Sequence, residues 1–516
     1  MINVVNFLKS KQKEIFLIPA IFFFLTYFGF FWIYKLDEFP GLHADEAWSG
    51  LKAFHFMDKH VDQLTGMNNY TGILEALLSK LVFTLFGPGV AQLRISGAIL
   101  NLIGLLIAAH TLFVKKSYRT TAIFLLIIGQ STLFMISPRI AWEVNSFTLF
   151  FMSLLFISFI KITNRNSNKR GLWIFLFLFI NALGTYNHII FSSISFSAFI
   201  GVLLWTAYFK SNEQIQILIL LFINMCNLVI VFLVMRYVSG SINVAYIYIG
   251  IVALLATSTL VYHKIILTDL SYNIRINVPI KFIQFLLILF SGLFIFFHGI
   301  AFFQIIAGYL FILQVYSYEC SALVQTAGAI IGIIFIGHLI RFLLKDLQHK
   351  NQAKFSFFIF AYFGVLCLYT TSVSFRYYLA LYLIIAIYMA YKIGNHLPTK
   401  SFILAPLGLS LIMINTILLD IFTSSNRPVK AIEFKIGNKQ IETTAHFLPK
   451  LPIINFLKIH KTLEIQYLCE DPYFLKEPIL FYRVINPWPQ VKGQKTIIDY
   501  NFNSYESGFN LYEGKP

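Results

Sequence analysis

The sequence predicts a polytopic α-helical membrane protein, and three observations carry that reading. The 516 residues are 58% hydrophobic and only 12% charged, with mean hydropathy +0.73. Soluble chains run nearer ~25% charged and ~45–50% apolar. Apolar stretches of about 20 residues, long enough to cross a bilayer core, recur as far as residue 422. The chain also holds 56 Phe and 27 Tyr, which suit lipid-facing helices and interfacial belts.

The net charge of +17 is assigned to cytoplasmic Lys/Arg clusters that orient the helices. No basic recognition module is present, so no nucleic-acid partner is expected. In order along the chain, residues 16–34 follow Lys9, Lys11 and Lys13 and precede no small-residue cleavage site. They predict a retained signal anchor, with the N-terminus in the cytoplasm. Residues 35–91 then lie outside, as a loop bearing Asp37, Glu38, Asp45, Glu46, Asp58 and Asp62 beside His43, His55 and His60.

Residues 72–86 carry Glu75 and Lys80 and are short for a span, which predicts an interfacial helix on the outer surface. Reading them as a span would turn the basic loops at 115–119 and 161–170 outward, against the positive-inside rule. Spans follow at 92–114, 120–137, 144–160, 172–188, 189–209, 214–235, 244–262, 282–298, 322–340, 356–373, 376–391 and 402–422. Residues 300–316 form a second interfacial or re-entrant element. With the anchor, the total is roughly thirteen spans.

Beyond residue 423 the composition turns to Lys, Glu, Asn and Pro. Two domains are therefore expected: a transmembrane part, 1–423, and a small extracytoplasmic α/β part, 424–516. In the latter, a proline within 470–485 should break any long helix. The four cysteines have no metal-like spacing. Cys226 and Cys367 read as apolar fillers, and a Cys320–Cys469 disulfide stays open.

The decapeptide Gly41-Leu42-His43-Ala44-Asp45-Glu46-Ala47-Trp48-Ser49-Gly50 concentrates the chemistry. Adjacent carboxylates at the mouth of a membrane bundle are costly without a use, so Asp45 is read as a catalytic carboxylate beside Glu46. The alternative is that Asp45 caps the helix starting at Ala47. At the outer ends of spans the basic residues are mostly arginine: Arg94, Arg139, Arg236 and Arg376. Guanidinium forks bind phosphate bidentately, though each one taken singly could be a headgroup anchor. Glu143 is a second carboxylate for the same face, or else an ion-pair partner of Arg139 four residues earlier. His188 and His298 read as interfacial polar residues. No metal-ligand spacing stands out; Glu75 and His43 are the candidates should a divalent metal take part.

Taken in order, these motifs resemble the GT-C class of polytopic glycosyltransferases. The nearest groups are the bacterial protein O-mannosyltransferases and lipid A aminoarabinose transferases, which are phospholipid carrier-dependent glycosyltransferases. Ala44-Asp45-Glu46-Ala47 follows a first span, and Leu85-Phe86-Gly87 ends a short amphipathic segment. Arg94-Ile95-Ser96 opens the next helix, Ser137-Pro138-Arg139 precedes Glu143, and Arg376-Tyr377-Tyr378 opens a late span. The chain departs from the family at Thr71-Gly72-Ile73, where paired prolines are usual, and at Glu143, where Asp is common.

The resemblance implies transfer of one sugar, with inversion, from a polyprenyl-phosphate carrier to a lipid, glycan or protein acceptor. The reaction would take place on the outer face of a bacterial inner membrane. Asp45 would be the general base, with Glu143 orienting Arg139 or the acceptor. Arg94, Arg139, Arg376 and Tyr377 would hold the donor phosphate. No certain cofactor is implied. A transporter or flippase of lipid-linked sugars is the alternative, as is a ligase or polymerase of similar topology. Charges gathered at one face, with spans nearly free of charge at their middles, favour the enzyme.

Overall fold

The computed structural model describes residues 17–38, 40–57, 71–115, 117–163, 169–210, 215–238, 278–306, 322–368, 375–396, 434–436, 439–441, 451–468, 473–500 and 509–514. It is mostly helical. In lipid every backbone N–H and C=O must find a partner within the chain, so apolar runs without interior proline settle as helices.

The helices are α1 (Leu17–Ile33), α2 (Ala44–His55), α3 (Leu74–Phe86), α4 (Val90–Lys115), α5 (Tyr118–Gln130) and α6 (Thr132–Ile136). A 3-10 turn at Ser137–Arg139 leads to α7 (Glu143–Thr163) and α8 (Arg170–Asn187). After a second 3-10 turn, Ile189–Phe191, come α9 (Ser192–Phe209), α10 (Ile215–Val238), α11 (Ile280–Ile306), α12 (Ala322–Asp346) and α13 (Lys350–Leu366). A third 3-10 turn, Phe375–Tyr378, opens α14 (Leu379–His396).

Among the described residues, five helical stretches are long and apolar enough to cross a membrane: Val90–Val114, Glu143–Ile162, Ile189–Phe209, Ile280–Gly299 and Arg376–Gly394. Shorter apolar stretches lie in α1, α5, α8, α10 and α13. Two expected boundaries change. The single span at 120–137 is two helices, because Ser131 takes an extended backbone between α5 and α6. The break expected near residue 299 is absent, since α11 runs unbroken to Ile306. The N-terminal lysines, the spans at 244–262 and 402–422, and Cys320 and Cys469 lie outside the described residues.

Small residues let the tightest helix pairs approach. A Cβ on Gly97 would meet Ser146 Oγ at 2.6 Å, and one on Gly104 would meet Phe150 N at 2.7 Å, so α4 and α7 touch nearly backbone to backbone. Gly201 does the same between α9 and α13, where a Cβ would lie 2.8 Å from Phe358 Cα. Such crossings are how helices gain dispersion contact in lipid, where no hydrophobic force drives them together. Asn101 adds polar glue, donating to Gly97 O and Asn145 O at 2.8 Å each. The stretch ending in α14 is the central one, 89% buried, whereas the α11 stretch is 22% buried and presents Ile288 and Phe296 outward. At the far end of α14, Lys392 pairs with buried Asp346, which also accepts from Tyr388 Oη at 2.7 Å.

The later residues form strands β1 (Phe434–Ile436), β2 (Lys439–Ile441), β3 (Glu464–Leu468), β4 (Lys495–Tyr500) and β5 (Phe509–Gly514), with helices α15 (Leu451–Ile459) and α16 (Tyr473–Ile485). β3 and β4 pair in parallel through the α16 crossover, and β5 adds antiparallel to β4. Contrary to expectation, Pro478 lies inside α16 rather than ending it. Proline there costs one backbone bond, and burial of Leu475, Ile479 and Phe481 along the same helix offsets that loss. Those side chains join Leu42, Ala47, Leu51 and Phe54 of the α2 region in a second hydrophobic core. Gly50 makes room for this: a Cβ would meet the Phe481 ring at 2.3 Å.

Candidate active site

The first turn of α2 sorts its two acids into opposite environments. His43 is the N-cap: its Nδ1 accepts from Asp45 N at 3.0 Å, while its own N donates to Glu46 Oε1 at 3.0 Å. This reciprocal capping fixes the helix start. The cap expected at Asp45 is therefore supplied two residues earlier, and the Asp45 carboxylate is released for other contacts.

Glu46 is fully buried. Its oxygens accept from Arg94 Nε and Nη2 at 2.8 Å each, and from Ala141 N at 2.8 Å. Arg94, also fully buried, donates its other hydrogens to Leu36 O at 3.0 Å, Pro40 O at 2.8 Å and Gly41 O at 3.3 Å. Those contacts occupy all five guanidinium N–H groups. Arg139 caps the end of α1, donating to Phe31 O, to Tyr34 O at 2.7 Å and to Lys35 O at 3.0 Å. The chain there turns through a left-handed residue, Lys35, with φ 45.

Asp45 faces the other way. Its Oδ2 lies 3.3 Å from Arg376 Nη1 and 3.9 Å from His43 Nδ1, and its Oδ1 accepts from Tyr473 Oη at 3.3 Å. The carboxylate stays about one fifth exposed, at 20%. Its place in the first turn of α2 also sets it at the positive end of the helix dipole. Arg376 lies over the Trp142 ring at 4.3 Å and the Tyr377 ring at 5.2 Å, and donates to Tyr377 Oη at 3.3 Å. Its Nε is buried without a partner among the described residues. Trp142 Nε1 donates in turn to His43 Nδ1 at 3.3 Å. The Tyr377 ring rests 5.3 Å from that of buried His188.

Glu143 opens α7 beside this group, buried, with Oε1 unpartnered among the described residues. Asp45, Arg376 and Lys52 are the charges that bear on it. Lys52 stands on the same face of α2 as Asp45, seven residues on, with Nζ 4.6 Å from the Trp48 ring centre. Burial pulls its ammonium below the usual lysine range while Glu143 works the other way. Glu75 lies near Ser146, Glu143 and Glu46; burial pushes its carboxyl up to about 8. The segment entering α3 is pinned by Gly72 N donating to Asn187 O at 3.0 Å, and a Cβ on Gly72 would meet Tyr186 O at 2.4 Å. That close approach explains glycine at 72.

Asp45, Arg376, Tyr377 and Glu143 are thus brought together with His43, while Glu46 and Arg94 form a pair beneath them and Arg139 sits at the α1 end. Among the described residues no group of three His, Cys, Asp or Glu side chains is disposed to hold a metal. His43 Nδ1 is already committed to Asp45 N and Trp142 Nε1. Sequence reasoning missed Lys52, Trp142 and Tyr473. The i, i+7 spacing from Asp45 was the available signal for Lys52; Tyr473, 428 positions from Asp45, gave none.

No family model matches the chain, and no curated protein matches it. Two solved structures that it is similar to belong to one class, the GT-C glycosyltransferases. Both are crystal structures of ArnT from Cupriavidus metallidurans. The one bound to undecaprenyl phosphate is 11% identical over 93% of each chain, with a TM-score of 0.49. The apo state is 13% identical over 93% of this chain and 92% of that one, with a TM-score of 0.40.

Proposed function

We propose that the protein is a glycosyltransferase that moves one sugar from a polyprenyl-phosphate carrier to a hydroxyl acceptor on a lipid, glycan or protein. The ordered motifs of the sequence support the class. The observation that carries the reading is the approach of Arg376 to within 3.3 Å of Asp45, a base and a cation drawn from opposite ends of the chain.

In a single displacement, the acceptor oxygen attacks the anomeric carbon as Asp45 takes the hydroxyl proton. The bond from that carbon to the phosphate oxygen breaks, and polyprenyl phosphate leaves with the electron pair. Attack opposite the leaving group inverts the carbon. A phosphate leaving group needs charge stabilisation rather than a proton. Arg376 supplies it, held flat between Trp142 and Tyr377 with Nε free to donate. Lys52 is a second cation for the same phosphate, and Glu143 faces both cations.

In this reading Glu46, Arg94 and Arg139 support the site rather than touch the substrate. Their hydrogen bonds join the start of α2, the 36–41 segment, α4 and the end of α1, so they fix the floor on which Asp45 stands. The site faces the extracytoplasmic side, as the positive-inside reading requires.

The test uses purified full-length protein in detergent with a panel of undecaprenyl-phosphate-linked monosaccharides and a cell-envelope extract as acceptor. Wild type should release undecaprenyl phosphate and Asp45→Asn should not. Equal release by both removes Asp45 from the mechanism. Movement of the lipid-linked sugar across a vesicle membrane without release makes the protein a flippase.

A further inference from the structure

The Asp45 carboxylate is held from two sides, and the second side is contributed by the last part of the chain. Arg376 meets Oδ2, and Tyr473 Oη donates to Oδ1 at 3.3 Å. We propose that Tyr473 is a positioning residue for Asp45, so that the α16 helix completes the active site.

Three features support this. Tyr473 is the first residue of α16, and that helix is fastened to the helix carrying Asp45. Phe481 sits over Gly50, and the rings of Phe54 and Phe83 pack tilted against it, at 6.0 and 6.3 Å between centroids. The phenol therefore approaches the carboxylate from a rigid mount. Burial, then the neighbouring Asp45 and Glu477 carboxylates, raise Tyr473 well above the usual phenol range and keep it a proton donor. Finally, a carboxylate offers several lone-pair sites on its two oxygens. One donor on each oxygen fixes the plane and leaves a lone pair of Oδ1 for the acceptor hydroxyl. The other charged or titratable groups facing Asp45 are Arg376, His43 and Glu143.

This inference rests on Asp45 being the base, so the test separates the two. Carbodiimide modifies only protonated carboxyl groups. Labelling of Asp45 by dicyclohexylcarbodiimide, read by peptide mass spectrometry across a pH series, needs no turnover. In Tyr473→Phe the labelling should exceed that of wild type roughly threefold, because the carboxylate has lost a charge-assisted donor. Tyr482→Phe removes a buried phenol from the same helix and should label as wild type. Where the wild type turns over a donor, Tyr473→Phe should lower kcat roughly three- to tenfold, with KM for the donor little changed.

Identical labelling of Tyr473→Phe and wild type at every pH overturns the inference, whatever Asp45→Asn does. A gain in turnover or a fall in the acceptor KM also overturns it, since the phenol would then be a placeholder that the acceptor displaces. Retained turnover in Asp45→Asn sinks the base assignment while leaving the labelling result to stand or fall by itself.

Discussion

At the scale of single residues, the arginines divide by what their N–H groups meet. Arg94 spends all of them on Glu46 and three carbonyls, whereas Arg376 keeps Nε unpartnered among the described residues, beside the Asp45 carboxylate. Arg376→Lys should lose activity on the order of 100-fold, because an ammonium has neither the fork nor the flat face that stacks on Trp142. Its thermal midpoint should stay near that of wild type. Arg94→Leu should do the reverse to the protein, leaving Glu46 buried and uncompensated at a cost of about 3–5 kcal/mol. Thermal unfolding in detergent measures both, and an unchanged midpoint for Arg94→Leu would deny its structural role. The sequence distinguishes these arginines poorly. All four sit at expected helix ends, and nothing in the spacing says which guanidinium finds carbonyls. Asp45 was legible because two adjacent acids in an outer loop are expensive. That Glu46 is the buried one follows only from where Arg94 and Ala141 N arrive.

At the scale of elements, α3 buries a titratable group against the bundle. Burial in its first turn, near Ser146 and Glu143, pushes the Glu75 carboxyl up to about 8 from an ordinary 4.5. A carboxyl raised on folding contributes its stability in full below the unfolded value. Here that contribution declines from about pH 4.5 to about pH 8, by about 1.4 kcal/mol per unit. Glu75→Gln keeps the neutral shape and should flatten this slope, raising stability near pH 8. The check is the unfolding midpoint from about pH 5 to about pH 9; the same slope in the variant would refute it. The helical character of α3 was legible from its length and its two charges. The break at Ser131 was not, since Gly-Gln-Ser-Thr within an apolar run carries no proline to announce it. The helix through Pro478 was hidden for the opposite reason: tertiary burial of its apolar face overrides the local penalty.

At the scale of the whole molecule, two cores meet along α4, which gives Val90 and Leu93 to one and Ala98 and Leu105 to the other. One is the helix bundle; the other joins α2 to α15, α16 and β4 through Leu51, Phe54, Ile454, Phe481 and Ile498. A chain ending after residue 450 should expose that α2 face, each side chain losing roughly 1.5–3 kcal/mol of burial. It should lose turnover and melt at lower temperature. Full turnover by the shortened chain, measured as undecaprenyl phosphate release, would make the last segment dispensable. The bundle was readable from hydropathy because lipid imposes one solution on each apolar run. The joining of α2 to α16 was not, because contacts across hundreds of positions leave no periodic trace. That separation also bears on biosynthesis. Asp45 meets Arg376 across 331 positions and Tyr473 across 428. The carbonyls at the end of α1 wait 108 positions for Arg139. A ribosome-bound intermediate therefore carries Asp45 through hundreds of added residues with neither partner yet made. Under the proposed role, that carboxylate is armed only once residue 473 has been added.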